Sequence, residues 1–478
     1  MLSLKKPETI IKILVFFIGV FILFKPPIDP DFGWHYKYGE YLFNNHHLLR
    51  QNIFSYNFTS YEWANSYWLS ELVFFVFYRF LGAIVAGIIF SAVGVFVLTI
   101  LFSKLRISQF SKYFGLILTF VVMSEYLITV RPMFFSSIFM FILMYVLLYE
   151  NKYLKYLPFL FFIWANSHAD FTLGLFVFGL YTFFDLMRSL RLKKISTSLF
   201  FGALSVLVTL INPYGYKLWT TLLKETHYFQ FKYIAEWLPI RYGDFVSFAF
   251  SICILALVLS FLFLEGRKIQ KWLFLSIVVF LVFSLRSIYF VRPLFIISIF
   301  SISSFWDLKT SPLFSIVPES LFKKIKYASF YFLLLTAFSI SGIFVKNIEQ
   351  AGSYKDWSEE MKLPYASLIF IKSQKLHGRM FNLYAWGGYL IWQLPGYKTF
   401  IDGRMPSWRE NGRSVFEDYI KITSEPKKYE KLFDSYKISW VLDKPDSRLI
   451  KFLKTKKWKV LYEDKVSIIL QNPIPPNL

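Results

Sequence analysis

The sequence predicts an all-α polytopic membrane bundle of about 11 transmembrane helices, with a small C-terminal α/β extracytoplasmic domain. The first supporting observation is composition. Of the 478 residues, 56% are hydrophobic and the mean hydropathy is +0.46, which is too apolar for an ordinary soluble domain. The second is the recurrence of apolar runs close to the length that crosses a bilayer. The third is a change near residue 347, where charged residues become frequent and apolar runs become short.

The membrane-spanning helices are predicted from these apolar runs. A bilayer core of about 30 Å needs about 20 helical residues, or fewer where neighbouring helices help. The run 156–165 is short and can form a re-entrant hairpin with the next run. The predicted helices are 11–27, 82–103, 114–130, 133–149, 156–165, 171–187, 197–212, 245–264, 271–285, 288–306 and 326–345.

The Lys and Arg residues predict the orientation, because cytoplasmic connections carry an excess of them. Basic clusters precede the first helix and then occupy alternate connections, which places them on one side. They include Lys5 and Lys6, Lys104 and Arg106, Lys152 and Lys155, Arg188 and Arg191, Arg267 and Lys268, and Lys323 and Lys324. The N-terminus is therefore expected inside and the tail 347–478 outside.

Charge and cysteine content exclude several classes of protein. The formal net charge is +22, but the basic residues lie between apolar runs and form no basic domain, so no nucleic-acid partner is expected. Cys253 is the only cysteine, which excludes an intrachain disulfide and a cysteine-based metal site.

We predict two domains. A membrane domain covers 1–346 and includes a first external loop at 28–68, and an α/β domain covers 347–478. In this tail, short apolar runs such as ISWVLD and VSIILQ alternate with turn signals such as LPGY and IDGR, a pattern typical of a small mixed fold.

The first external loop presents two carboxylates one residue apart, Asp29 and Asp31, on either side of Pro30. Such a pair can bind a divalent cation such as Mg²⁺ or Mn²⁺, or act as a general base with an orienting partner. An Asp-Pro-Asp sequence is also common where a chain enters a loop. Arginines at other external helix ends favour the catalytic interpretation, since the guanidinium group binds phosphate oxygens well.

Further polar residues at the predicted external face are candidates for binding a substrate or its phosphate. Each also has a structural interpretation: an arginine at a helix end can extend to the interface, and Asp170 can cap the following helix. The candidates are His35, Arg131, His168, Asp170, Glu236, Arg286, Arg292, Asp402 and Arg404.

The stretch DPDFGWHYKYGEYL resembles the opening of a group of bacterial integral membrane proteins with the pattern D-x-D-x-x-W-H-x-x-x-G-E. Those proteins resemble the GT-C glycosyltransferase superfamily. The resemblance implies a cytoplasmic N-terminus, a bundle of many helices, an acidic motif in external loop one and an external C-terminal domain, in a bacterial plasma membrane. The matching residues are Asp29, Asp31, Trp34, His35, Gly39 and Glu40.

The tail segment YAWGGYLIWQLPGYKTFIDGR is similar to the WWDYG segment of oligosaccharyltransferases. Gly388, Tyr389 and Ile391 fit that template, and Asp402 stands near the place of its downstream acidic residue. Trp386 replaces the central Asp of the motif, so a pocket for a sequon Ser or Thr is not expected. Protein N-glycosylation is therefore not the predicted reaction.

The GT-C resemblance implies a polyprenyl-phosphate-linked or polyprenyl-diphosphate-linked sugar as donor and an extracytoplasmic glycan, lipid or protein as acceptor. Asp31 would be the general base, and Asp29 would support it or share a metal with it. Arg131, Arg286 and Arg292 would hold phosphate.

Two other functions remain open from the sequence. A transporter or flippase of a lipid-linked intermediate would also need a polar cavity, with charges midway along its helices; Glu125 is the clearest such residue. A noncatalytic assembly or scaffold protein would use its external domain to bind a partner, and Asp29 and Asp31 would then only shape a loop.

Overall fold

The computed structural model describes residues 7–27, 29–105, 109–124, 131–193, 196–224, 232–241, 246–251, 253–254, 270–305 and 340–474. This part of the chain is mostly helical and has a small sheet in its C-terminal region, which agrees with the predicted helical bundle and small C-terminal α/β region; the extracytoplasmic position of that region stays a prediction. Most of the predicted helices 245–264 and 326–345, the end of 114–130, and Glu125 lie outside the described residues.

The chain divides into two compact units. The helical unit contains Met1–Pro26, Leu81–Gly215 and Lys232–Glu349, and the tail unit contains Pro27–Phe80, Tyr216–Phe231 and Gln350–Leu478. The stretch 27–80, predicted as part of the membrane domain, thus belongs to the compact unit of the tail. Side-chain hydrogen bonds connect this stretch to the tail: Ser55 donates to the backbone carbonyl of Thr399, and Asn57 donates to that of Phe400.

The helical unit consists of apolar helices that pack on one another. Trp164 is fully buried and stacks on Phe161, with 5.6 Å between ring centroids. Gly174 gives this indole room, because a Cβ there would lie 2.5 Å from it. The helices are α1 (Pro7–Leu23), the second part of α3 (Trp68–Ser103), α4 (Gln109–Met123), α5 (Met133–Tyr149), α6 (Leu157–Ala165), α7 (Phe171–Arg191), α8 (Thr197–Val208), α10 (Lys271–Arg286) and α11 (Val291–Phe305).

Helix α3 changes direction at Gly82, whose φ of 75° and ψ of 169° are not helical. A residue with a Cβ adopts such a positive φ only with strain. Within the described residues, α3 and α7 are long and apolar enough to cross a membrane by length and composition. The total of about 11 spans stays a prediction.

The tail unit combines short helices with a four-stranded sheet. Its strands are β1 (Arg379–Asn382), β2 (Ile438–Asp443), β3 (Lys459–Glu463) and β4 (Ile468–Gln471), in the order β1-β2-β4-β3. The helices are α2 (Phe32–Asn45), α9 (Lys217–Lys224), α12 (Tyr354–Glu360), α13 (Tyr365–Gln374), α14 (Gly387–Gln393), α15 (Val415–Ser424), α16 (Glu430–Ser435) and α17 (Arg448–Thr455).

The sheet is mixed. Strand β1 is parallel to β2, whereas β4 is antiparallel to both β2 and β3. All six residues of β2 are buried, so ISWVLD forms a central strand, and the run VSIILQ contains β4. Trp440 and Leu442 of β2 join Tyr389 of α14 in the hydrophobic core. This core holds the first part of the segment 387–404 through Tyr389, Leu390 and Leu394, and that segment carries part of the candidate site.

Candidate active site

The Asp-Pro-Asp turn leads directly into α2. Asp31 is the N-cap residue of this helix, and its backbone N–H donates to Oδ1 of Asp29 at 2.9 Å. The N–H of Phe32 donates to the carbonyl of Asp29 at 3.0 Å. Both aspartates are partly exposed. Asp29 therefore holds the backbone of Asp31 in place, and the carboxylate of Asp31 makes no side-chain capping bond to its own helix.

Two consecutive glycines bring α14 against this turn. A Cβ at Gly388 would lie 3.1 Å from Cα of Asp31 and closer still to the carbonyl oxygen of Pro30. A Cβ at Gly387 would lie 2.6 Å from Cα of Asp402. Contacts this short with backbone atoms leave no space for a side chain. The Gly-Gly pair thus fits between the turn that carries Asp31 and the segment that carries Asp402.

Gly403 lies directly against the carboxylate of Asp31. A Cβ at Gly403 would be 2.8 Å from Cγ of Asp31 and closer still to Oδ1. The carboxylate thus rests on backbone rather than on a side chain, which leaves it little freedom to move toward that side.

On either side of Gly403, Asp402 and Arg404 form a buried ion pair. Nε of Arg404 donates to Oδ1 of Asp402, and Nη2 donates to Oδ2, both at 2.7 Å. The same guanidinium donates to the hydroxyl of Tyr38 at 2.8 Å and to Oδ1 of Asn52 at 3.1 Å. Its central carbon lies 5.2 Å from the ring centroids of Phe54 and Trp408. Arg404 therefore joins α2, the loop 46–67 and the segment after α14 through internal bonds.

The electrostatics of this cluster favour a stable ion pair. Burial alone would lower the pKa of Arg404, but the charge of Asp402 outweighs it and raises that pKa above its usual range. Burial also raises the pKa of Tyr38 to about 12. Tyr38 therefore stays neutral and accepts the hydrogen bond from Arg404. The predicted contact of Asp402 and Arg404 with substrate stays a prediction; their observed partners are internal.

His35 is also buried, one helical turn after Asp31. Its Nδ1 is hydrogen-bonded to Oε1 of Glu71 across 3.0 Å, and Oε2 of Glu71 accepts from Asn65 at 2.6 Å. This chain of polar contacts fixes α2 against the start of α3. Substrate binding by His35 is likewise still a prediction.

We predict that Gly403→Ala lowers the rate of a reaction that uses the Asp31 carboxylate about 100-fold, while the protein still folds. The added methyl group must displace the short Asp31 side chain, and a misplacement of about 1 Å at a reacting group can cost this much. Gly179→Ala is the matched control, since nothing lies within 4 Å of a Cβ at that helical glycine. Thermal unfolding and initial rates of both variants check this; equal rates would contradict it.

The helical unit contains its own polar cluster, at the N-termini of α7 and α11. Asp170 accepts hydrogen bonds from the hydroxyl of Tyr289 and from Nη2 of Arg292. Its Oδ2 lies 3.3 Å from Nδ1 of His168, which is also hydrogen-bonded to Ser136 at 2.9 Å. Three of the predicted residues, His168, Asp170 and Arg292, are thus adjacent.

These contacts decide the charge of Asp170. Burial opposes ionisation, but the positive charge of Arg292, with a smaller contribution from His168, outweighs it and holds the pKa of Asp170 well below its usual range. The pair is nearly inaccessible, with side chains 4% and 3% exposed.

A second ion pair in this unit is more open. Nη1 of Arg131 donates to Oε1 of Glu236, and their side chains are 21% and 43% exposed. The segment that carries Glu236 packs on the residues just before α11: the hydroxyl of Ser287 donates to the Glu236 carbonyl at 3.1 Å, and the rings of Trp237 and Tyr289 stack with 4.7 Å between centroids. Arg286 is exposed at the end of α10, and within the described part of the chain no ion pair connects it to this cluster.

Metal binding was predicted only for Asp29 and Asp31. Within the ranges that the structure describes, no group of three or more His, Cys, Asp or Glu side chains is placed to hold a metal ion. The two aspartates offer oxygen ligands of the kind that Mg²⁺ and Mn²⁺ prefer. A cation requirement remains a prediction, which chelation and re-addition of Mg²⁺ can check.

Sequence reasoning did not identify Gly388, Gly403, Tyr38 or Asn52 as parts of the site. The Gly-Gly pair and the Asp-Gly-Arg triplet were visible as a motif fragment and a turn signal. Their function as contact points for Asp31 required knowing that the first loop packs on the tail.

The chain is similar over nearly its whole length to a solved structure of another protein. It is ArnT from Cupriavidus metallidurans bound to undecaprenyl phosphate, with a TM-score of 0.52, 12% sequence identity, and coverage of 97% of each chain. The chain therefore has a GT-C-type fold, and the predicted GT-C resemblance is confirmed for the fold. No family model matches the sequence, and neither does any curated protein.

Proposed function

We propose that this chain is an integral membrane glycosyltransferase that moves a sugar from a polyprenyl-phosphate-type lipid donor to an extracytoplasmic acceptor. The observation that carries the proposal is the Asp31 carboxylate, which is partly exposed and packed against Gly403, on a backbone that Asp29 holds through a hydrogen bond. The GT-C-type fold supports it, because the similar structure of ArnT has undecaprenyl phosphate bound. A bacterial plasma membrane is the proposed location.

In the proposed reaction Asp31 is the general base. It takes the proton from an acceptor hydroxyl while that oxygen attacks the anomeric carbon of the donor sugar. The bond between the anomeric carbon and the phosphate oxygen breaks, and its electron pair leaves with the polyprenyl phosphate. Direct attack inverts the anomeric configuration. Asp29 acts through Asp31, whose backbone N–H it binds, and is a positioning residue.

The phosphate of the donor needs a cationic partner, and in the helical unit Arg131 is the better candidate. Arg292 is paired with Asp170 in a nearly inaccessible site, whereas Arg131 and its partner Glu236 are partly exposed. A phosphate that binds Arg131 must compete with Glu236. The planar guanidinium can offer two parallel hydrogen bonds to a phosphate, which a lysine cannot.

We predict opposite effects for the two members of this pair on the binding of undecaprenyl phosphate. Arg131→Gln weakens binding about tenfold or more, since charge-assisted hydrogen bonds to the phosphate are lost. Glu236→Gln strengthens binding about two- to fivefold, because removal of a competing carboxylate from a partly exposed pair is worth about 0.5–1 kcal/mol. Titration of the purified full chain with fluorescent undecaprenyl phosphate measures both.

Arg188→Gln is the control for this titration, because Arg188 lies in the last turn of α7 and is predicted to be cytoplasmic. It should bind like the wild type. Weaker binding by Glu236→Gln, or no change in Arg131→Gln, would contradict the assignment of Arg131.

The proposed glycosyltransferase function is tested by measuring whether the protein consumes a lipid-linked sugar. Lipid-linked sugars extracted from membranes are incubated with the purified protein, and the lipid products are identified by mass spectrometry. We expect release of free polyprenyl phosphate in amounts that grow with enzyme and time. Intact donor after prolonged incubation with a broad lipid extract and acceptor fraction would contradict the proposal.

A further inference from the structure

A groove with a mixed polar and apolar lining lies on the tail unit along α2. Its volume is about 340 Å³, and it runs between α2 and the turn Pro395–Lys398. Lys37, Glu40, Tyr41 and Asn44 of α2 line one side, at the spacing that places residues on one face of a helix. No residue of this groove belongs to the candidate base or its immediate contacts.

The groove offers both hydrogen-bond donors and acceptors. Lys37 and Glu40 form an ion pair whose side chains are 17% and 31% exposed, so both lie low in the groove. Asn44 and Asn45 are exposed at its edge, and each amide carries both a donor and an acceptor group. Lys398 adds a second positive charge from the opposite side.

Aromatic side chains supply part of the apolar lining, and Ile53, Ile391 and Pro395 supply the rest. The aromatic residues of the lining are Tyr41 on α2, Phe54 in the loop 46–67 and Tyr397 in the turn. The outer faces of such rings accept flat, weakly apolar surfaces. A ligand with many hydroxyl groups and an apolar C–H face satisfies both parts of this lining, which is the chemistry of a sugar ring.

We propose that this groove binds the saccharide part of the acceptor, which rests on the proposed glycosyltransferase function. The lining carries two lysines and one glutamate, a formal charge of +1, so it also suits a saccharide that bears a carboxylate or phosphate. A free peptide lacks the dense hydroxyl pattern that the amides and the ion pair can bind.

Helix α2 connects the groove to the proposed base, because Asp31 caps its N-terminus and its later residues line the groove. At a rise of 1.5 Å per residue, residues 37–45 lie about 9–21 Å along α2 from Asp31. An acceptor of a few sugar residues spans such a distance. Phe54 provides a second connection, because its ring lines the groove and also lies 5.2 Å from the guanidinium of Arg404, next to Gly403.

The test is saturation-transfer NMR on the purified full chain in a detergent without a sugar headgroup. The probes are neutral, N-acetylated and uronic-acid-containing di- to tetrasaccharides, with tetrapeptides as the comparison ligands. Asn44→Trp fills the groove from an exposed helical position. Lys372→Trp is the matched control, because Lys372 is exposed on α13 outside the groove.

We expect at least one saccharide class to bind the wild type and Lys372→Trp alike, and to bind Asn44→Trp about tenfold more weakly or worse. Tyr41→Ala should lose binding as well. Equal saccharide binding by Asn44→Trp and the wild type, binding of the tetrapeptides alone, or no saccharide binding at millimolar concentration would each overturn the proposal.

Binding of undecaprenyl phosphate to the same samples separates this inference from the function on which it rests. Retained lipid binding with no saccharide binding overturns only the proposal that the groove binds a saccharide. Groove-dependent saccharide binding without lipid binding or donor turnover supports the groove and contradicts the glycosyltransferase proposal.

Discussion

Replacement of Asp31 by Asn is expected to reduce sugar transfer by about 10²–10⁴-fold, the contribution typical of a positioned general base. The amide keeps the shape of the side chain and its contact with Gly403 but cannot take a proton. Binding of undecaprenyl phosphate should not change, because the carboxylate acts only on the acceptor hydroxyl. Initial rates with saturating donor, together with lipid titrations, separate the two effects.

Asp29→Asn is the matched comparison for this variant. Its amide oxygen can still accept the backbone N–H of Asp31, as Oδ1 of Asp29 does at 2.9 Å, so the positioning survives and the rate should fall only modestly. Asp29→Ala removes that acceptor and should cost more. If Asp29→Asn is as inactive as Asp31→Asn, the two carboxylates act together on a cation instead.

Replacement of Arg404 by Ala is expected to destabilise the protein by about 3–5 kcal/mol, because it leaves the buried carboxylate of Asp402 without its counter-charge. For a unit of this size, the unfolding midpoint falls by about 6–20 °C. Tryptophan fluorescence of the full chain in detergent follows the transition. Arg404→Lys should be intermediate, since an ammonium group keeps the charge but loses the two parallel hydrogen bonds.

Arg413→Ala is the control, because that arginine also pairs with an aspartate, Asp418, but its side chain is 62% exposed. Exposed pairs contribute about 1 kcal/mol or less. If Arg404→Ala and Arg413→Ala unfold at the same temperature, the buried pair does not hold the site as we infer.

Much of the fold followed from simple patterns in the sequence. Apolar runs marked most of the helices within a few residues of their ends, and the kink at Gly82 begins the run predicted at 82–103. In the tail, ISWVLD is a short, mostly apolar run that ends at a charged residue. This pattern is typical of a buried strand, and the run forms β2.

The arrangement of the candidate site was only partly predictable. Arg131 with Glu236, and Asp170 with Arg292, were identified as polar residues near helix ends, and the structure pairs them. That Asp31 packs on Gly403 depends on backbone contacts between segments about 370 residues apart in sequence. Hydropathy and charge indicate whether a segment is buried and how it is oriented, but not which distant segment of the chain it packs against.

The most direct test of the central claim measures lipid and acceptor products together in one mass-spectrometric experiment. Wild-type protein should form one glycosylated acceptor for each polyprenyl phosphate that it releases, and Asp31→Asn should form neither above background while still binding the lipid. Donor recovered without covalent change after incubation with the wild type, or equal product formation by wild type and Asp31→Asn, would contradict the account.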